Sequence, residues 1–262
     1  MSGFEGVSRF ATASMDELLP PRESSEVSPG LPGECVPELV SCILPAYNAE
    51  RWIAESLRSV FAQTYRPLEA IVVDDGSTDH TAEVVATFGE EVIGLKQPNA
   101  GPAVALNRGI RASRGEFLAF LDADDLWPPT KLELQVARLR ERPELAACYG
   151  LVQNFWDESV KIEEDTLRGH RIMDPLPGLV TGTLLARRST FGRVGLFENR
   201  RHAYALEWAL RLRDADLAHE ILPEVLLLRR YHDANMSRAG GADSREQVLD
   251  LLKRSIDARR GG

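Results

Sequence analysis

The stretch Val72-Val73-Asp74-Asp75-Gly76-Ser77-Thr78-Asp79 decides the fold. It closes the apolar run Leu68 to Val73 with two adjacent carboxylates, a glycine, two hydroxyls and a third carboxylate. Charge at the end of a buried strand is costly to desolvate, so it must meet a ligand or be satisfied by neighbouring donors. Open α/β sheets bind ligands at the carboxyl ends of their strands, and this stretch has the form of such an end.

The pattern repeats on either side. Upstream, Leu39 to Leu44 reads as a strand, joined to the first run by a helix with Trp52, Ile53, Leu57, Val60 and Phe61 on one face. Downstream come a helix from about Thr81, a short strand Val92 to Leu95, and the break Asn99-Ala100-Gly101-Pro102. Pro102 suits the first turn of a helix that carries Ala103, Leu106 and Ile110 inward. A strand Phe117 to Leu121 and a helix Pro128 to Arg142 follow. Strand-length apolar runs alternating with helical periods predict βαβ units, an α/β fold with a mostly parallel central sheet flanked by helices. Beyond Ala146 the period weakens. A strand Cys148 to Phe155, a long loop over 157–177, a short apolar piece Thr183 to Ala186, a helix Tyr204 to Asp214 and a strand Glu224 to Tyr231 are expected. A terminal amphipathic helix carries Val248, Leu251, Leu252 and Ile256.

Residues 20–37 are rich in Pro, Ser, Gly and Glu and lack the apolar area that repays ordering. Residues 1–36 are therefore expected to be a disordered tail and 37–262 a single domain. Within it, 37–127 form a ligand-binding half, 128–243 a second half and 244–262 the closing helix. The 31 Lys and Arg against 40 Asp and Glu leave a net charge of −9, which argues against nucleic acid as a partner. Cys35, Cys42 and Cys148 have no metal-ligand spacing and fit a reducing compartment. No apolar stretch is long enough to span a bilayer, and no secretory signal is read, so a cytoplasmic place, with peripheral membrane contact allowed, is expected.

A second acidic turn, Asp122-Ala123-Asp124-Asp125, follows the strand Phe117 to Leu121. In extended backbone Asp122 and Asp124 point the same way, and two carboxylates converging in a cleft call for a cation between them. Oxygen ligands of this kind suit a hard divalent metal, Mn²⁺ or Mg²⁺. The other reading is a plain polar loop with Asp125 capping the next helix.

Three segments together carry a family resemblance: Val40 to Asn48, "VVDDGSTDHT" at 72–81, and "NAGPAVALNRGIRASRGEFLAFLDADD" at 99–125. In this order and spacing they resemble the inverting family 2 glycosyltransferases of GT-A fold, closely from Val40 to Trp127 and more loosely from Val180 to Ser237. The resemblance implies a nucleotide-diphospho-sugar transferase that moves a sugar from a nucleotide-diphospho-sugar, foremost a UDP-sugar. The acceptor stays open among a glycan, a lipid carrier, a peptide or a small metabolite.

Residue by residue, the resemblance puts Pro45 and Tyr47 beside the nucleotide base and Asp75 in a hydrogen bond with it, while Asp74 holds its own loop. Gly101 and Arg108 match positions near the donor diphosphate and sugar. Asp124 is expected on the metal and Asp122 on the ribose or the metal shell. Arg230 and His232, in "LRRYHDANMS", are expected to close on the diphosphate, with His232 as a further metal ligand; a lone surface histidine is the alternative. Ala205 stands where a stricter match would have the catalytic acid. Glu207 is the nearest candidate for general base and Glu198 the second, although Glu207 and Arg211 are also spaced as a helical ion pair. Two other classes stay in view. One is a non-catalytic nucleotide-sugar-binding or scaffold protein that has lost the base. The other is a nucleotidyltransferase, which the sequence Pro45-Ala46-Tyr47-Asn48 disfavours because it is not a Gly-rich basic loop.

Overall fold

The structure, a computed structural model, describes residues 31, 34–157, 174–200, 202–232, 235, 246, 248–249, 251 and 253. Strands β1 (Val36–Ala46), β2 (Leu68–Asp74), β3 (Val92–Lys96) and β4 (Gly115–Phe120) pair in the order β3-β2-β1-β4, all parallel. The sheet continues through β7 (Leu185–Arg187), antiparallel to β4, and β5 (Ala147–Trp156), antiparallel to β7. Strand β6 (Leu176–Gly178) runs antiparallel along β5, and β8 (His219–Tyr231) lies parallel to β5. Two reversals restore direction, so β1 to β5 and β8 all end on one rim.

Helices cover both faces. Alternate strand residues such as Cys42, Leu44, Val72 and Phe117 pack under α1 (Ile53–Phe61), α2 (Thr81–Ala86) and α4 (Lys131–Glu141). Their neighbours Ile43, Ile71, Val73 and Phe120 pack on the other face. There they meet α3 (Pro102–Ala112), α5 (Arg188–Val194) and α6 (Tyr204–Asp214). Burial of both faces explains why the parallel strands read as unbroken apolar runs rather than alternating ones.

The α/β class and the parallel start of the sheet follow the sequence reading, with several differences in detail. Strand β8 begins at His219 rather than Glu224, because its first residues pair with Ala147 to Tyr149 of β5. Helix α4 starts at Lys131, three residues after Pro128. The end of the expected 157–177 loop is strand β6, and α5 had no counterpart in the sequence reading. Most of the expected tail and the stretch 158–173 lie outside the described residues, as do Leu252 and Ile256. Leu31 packs on the second core cluster and Leu251 is buried in it.

One cation lies inside the first cluster. Lys131 is fully buried, its Nζ 2.7 Å from Gln135 Oε1 and 4.3 Å from the centre of the Trp127 ring. Gln135 donates in turn to the carbonyls of Cys148 (3.1 Å) and Thr183 (2.8 Å), and Trp127 Nε1 to that of Gly182 (2.9 Å). Burial pushes the Lys131 amine down to about 7. It likewise pushes the Cys42 and Cys148 thiols up to about 12, as expected of inert core cysteines.

Candidate active site

The rim gathers the residues singled out in the sequence. The loops after β1 and β2 are stapled together. Asn48 donates its N–H to Ser77 Oγ (3.0 Å), Thr78 N–H donates to Asn48 Oδ1 (2.8 Å), and Asp75 N–H donates to the Ala46 carbonyl (2.8 Å). Gly76, at φ +79°, fits only as glycine, since a Cβ there would lie 2.7 Å from the Asn99 nitrogen. From this braced turn Tyr47 projects into solvent, 52% exposed, its ring free to cover a flat ligand. Pro45 sits two residues back at the end of β1.

The two adjacent aspartates divide their work. Asp74 accepts from Ser77 N–H (2.8 Å) and lies 3.6 Å from Lys96 Nζ, holding its own turn. Asp75 is buried and reaches across to the loop after β3. Its Oδ1 accepts from Gln97 Nε2 (2.7 Å) and Ala100 N–H (2.9 Å), and its Oδ2 accepts from Gly101 N–H (2.8 Å). Gly101 has φ +93° and leads into α3, so the glycine there is a backbone requirement. Arg108 is turned to the Lys96 carbonyl (2.6 Å), which places its guanidinium on a backbone oxygen rather than beside the second acidic turn.

That second turn is bound to the end of β8. Leu126 and Leu228 exchange both backbone hydrogen bonds (3.0 and 2.9 Å). Asp125 Oδ1 accepts from Arg230 N–H (2.8 Å), and Arg230 Nε donates to the Asp124 carbonyl (2.9 Å). Asp125 thus braces β8 instead of capping α4. Beneath the turn the Ser56 hydroxyl contacts the carbonyls of Ala123 (2.9 Å) and Asp125 (2.8 Å). The Arg230 guanidinium also reaches Glu55 (2.5 Å) and Asp157 (3.4 Å).

His232 Nε2 and Asp124 Oδ2 lie 2.9 Å apart, and Asn235 Nδ2 is 3.0 Å from the same ring nitrogen. Asn235 Oδ1 already accepts the His232 backbone N–H (2.6 Å), so the amide N–H₂ is the group turned to the imidazole. The same amide also faces the Arg230 carbonyl (3.2 Å) and Asp124 Oδ2 (3.4 Å), so its two hydrogens have three acceptors within reach. At 2.9 Å, Nε2 either donates its N–H to Asp124 Oδ2 or turns its lone pair toward a cation that the carboxylate shares.

Asp122 stands next to this pair and does not complete a cage. Among the described residues no three His, Cys, Asp or Glu side chains gather as a metal site. A hard divalent ion held by one or two protein ligands usually draws the rest from water and substrate phosphates, so Asp124 and His232 still suit it. Burial, then the neighbouring Asp124 charge, pushes Asp122 up to about 6, and Arg229 opposes the rise. Asp125 is raised well above the usual carboxylate range by the same causes.

Glu207, the candidate base, is engaged by Arg211. It is buried on α6, and both of its oxygens accept from Arg211: Nε to Oε1 at 2.6 Å and Nη2 to Oε2 at 2.8 Å. Arg211 also donates to the carbonyls of Val194 (2.5 Å) and Leu196 (2.7 Å), while Trp208 Nε1 donates to that of Gly195 (2.9 Å). Asn107 of α3 brackets Phe197 through both its N–H (3.0 Å) and its C=O (2.8 Å). The geometry is that of the helical ion pair, here clamping the 194–197 backbone. Glu198 pairs with Arg200 at 2.9 Å on the surface. Tyr204 lies closer to the acids, within the fields of Asp122 and Asp124, and burial raises its phenol above the usual range.

The sequence reading missed Trp52, Glu55, Asp157 and Arg229. Trp52 and Glu55 are one turn apart at the start of α1, where an aromatic and an acid read as ordinary helix composition. Only their meeting with β8, more than a hundred residues away, gives them a place in the site.

Comparison with known proteins bears on this rim. A sequence profile for the family described as "Glycosyl transferase family 2" matches residues 41–202. An uncharacterised glycosyltransferase of Rickettsia typhi is 33% identical over 209 residues, which is 75% of this chain and 65% of that protein. The Escherichia coli UDP-Glc:alpha-D-GlcNAc-diphosphoundecaprenol beta-1,3-glucosyltransferase WfgD is 43% identical over 114 residues, 43% of this chain and 45% of its own length. The mannosyltransferase PcManGT of Pyrobaculum calidifontis, solved with GDP-Man and Mn²⁺, superposes with a TM-score of 0.63 at 22% identity, covering 90% of this chain and 68% of that one. This last likeness establishes the GT-A type of fold. The chain spans less than two thirds of the length of both relatives.

Proposed function

Because the chain belongs to glycosyl transferase family 2, we propose that it transfers a sugar from a nucleotide-diphospho-sugar, foremost a UDP-sugar, to an acceptor, with inversion at the anomeric carbon and a divalent metal. The observation that carries the metal is the opposed pair Asp124 and His232 at 2.9 Å. Mn²⁺ or Mg²⁺ held there would supply positive charge for the departing diphosphate. WfgD, a UDP-Glc enzyme by name, supports the nucleotide, and PcManGT, solved with Mn²⁺, supports the metal.

The chain's own residues fill the remaining roles. Tyr47 covers one face of the base, with Pro45 behind it. Asp75 accepts three hydrogen bonds from its neighbours, and a carboxylate has about four lone-pair positions, so one remains for a base N–H. Gly101 keeps the backbone thin beside the sugar. Asp122 faces the ribose and adds charge to the metal's outer shell. Arg230, held by Glu55 and Asp157, fixes the turn on which Asp124 sits.

The engagement of Glu207 by Arg211, with Ala205 beside it, favours a second reading: a protein that binds the donor without turning it over. One experiment separates the two. Purified protein is given UDP-, GDP- and dTDP-sugars together with candidate acceptors and Mn²⁺, Mg²⁺ or EDTA, and nucleoside diphosphate release is recorded beside Asp124→Ala. The transferase reading expects metal-dependent release that falls at least about a hundredfold in the variant, as loss of a metal ligand should. Metal-dependent donor binding with no release, even with candidate acceptors present, favours the binding protein or an acceptor outside those supplied. Pyrophosphate release would point instead to nucleotidyl transfer.

A further inference from the structure

We propose that Trp52 positions His232 for metal binding, an inference that rests on the metal-dependent reading above. The indole and imidazole rings are stacked, centroids 3.8 Å apart and planes inclined by 26°. Trp52 is itself held: its backbone N–H donates to the Ala49 carbonyl (2.9 Å) and its Nε1 to Asp157 Oδ2 (3.1 Å). The guanidinium of Arg51 lies 5.4 Å from the indole centre and donates to the other oxygen of Asp157 at 2.8 Å. A line of contacts therefore runs from the exit of β5 through Asp157 and Trp52 to the ring that meets Asp124.

An imidazole ligates through one lone pair lying in the ring plane, so the plane must be set before the metal arrives. Asn235 fixes the backbone of His232, and its amide and Asp124 meet the ring at Nε2, 3.0 and 2.9 Å away, at the edge of the imidazole rather than on its face. Trp52 backs the flat face of that ring, which the contacts at Nε2 leave uncovered, and the hydrogen bond to Asp157 keeps the indole in place. The Trp52 side chain stacks on His232 and donates to Asp157, so its effect on the metal is expected to pass through His232. It is a positioning residue.

The test is Mn²⁺ binding in the presence of UDP, and separately of GDP, followed by the paramagnetic resonance of free Mn²⁺. The proteins are wild type, His232→Ala, Trp52→Leu, Trp52→Phe and Trp52→Leu combined with His232→Ala, each with its melting curve. Trp52→Leu is expected to weaken Mn²⁺ about tenfold, the lower end of what loss of an outer-sphere partner costs. Trp52→Phe, which keeps a ring face, should recover most of that affinity. In the His232→Ala background Trp52→Leu should cost nothing more. A role in folding alone would lower the melting temperature and leave the Mn²⁺ affinity of folded protein at the wild-type value. That result overturns the proposal, as does an equal loss of affinity in both backgrounds. If Trp52→Leu does not fold, Trp52→Met, which fills the space with a flexible chain and no ring face, takes its place with the same expectation. Wild type and His232→Ala binding Mn²⁺ equally would remove His232 from the metal and this inference with it. Unchanged binding in the Trp52 variants alone would remove only the inference.

Discussion

Lys131 carries a cost that should be measurable. A lysine whose folded pKa is lowered to about 7 from 10.5 is neutral in the fold while still charged in the unfolded chain, across the window between those values. Through that window the unfolded state binds the extra proton, so this group's contribution to stability rises with pH by about 1.4 kcal/mol per unit. Below about pH 7 the penalty is fully present. Lys131→Met, which keeps the length and removes the amine, should therefore raise the melting temperature at pH 7. It should also flatten the dependence between pH 7.5 and 10, read by urea denaturation across that range. An unaltered slope would place the amine's proton elsewhere. The arrangement was half legible in the sequence: Lys131 and Gln135 stand four apart on one helical stripe, and Trp127 comes just before that helix. What the spacing does not give is that this stripe faces the sheet, because a lysine there reads as solvated until Cys148 and Thr183 are brought beneath it.

At the scale of elements, α6 is held to the loop before it by a single ion pair that meets three backbone carbonyls with the help of Trp208. Replacing Glu207 with Gln leaves one good acceptor for Arg211 and removes the charge that orients it. The cost of such a buried charge-assisted pair is about 1–3 kcal/mol, so Glu207→Gln should lower the denaturation midpoint while transfer per folded molecule stays within a few-fold. Turnover abolished at unchanged stability would return Glu207 to the role of base. The long elements were the readable ones, since β1, β2, β4, α1, α3 and α6 each hold a full period of apolar residues. Strands β6 and β7, three residues each, were not, because a run that short shows no period and exists only through its pairing with β5 and β4. The base assignment failed to settle for a related reason: an i, i+4 acid and base look the same in sequence whether the pair faces a cleft or clamps a loop.

Taken as a whole, the molecule places acids from two chain segments and cations from a third on one rim. Asp122, pushed up to about 6 from 3.8, takes a proton in the fold before it would in the unfolded chain. Its unfavourable contribution is thus absent below about pH 4 and grows to its full size by about pH 6. Asp122→Asn should stabilise the metal-free protein at pH 7 and flatten its melting temperature between pH 4 and 6, and saturating Mn²⁺ should narrow the difference between variant and parent. No difference at either pH would mean that Arg229 already offsets the charge. The motif residues of the rim were legible one by one, whereas their convergence was not, since Arg230 meets Asp125 across 105 positions of sequence. The parallel pairing of β5 with β8 has a consequence for redesign. Both strands deliver the chain to the same lip, at Asp157 and at His232, so grafts of foreign sequence after either point would enter beside the acidic rim without passing through the sheet. On the transferase reading proposed above, acceptor preference could then be exchanged like a tool head, with the handle that would grip the nucleotide left as it is.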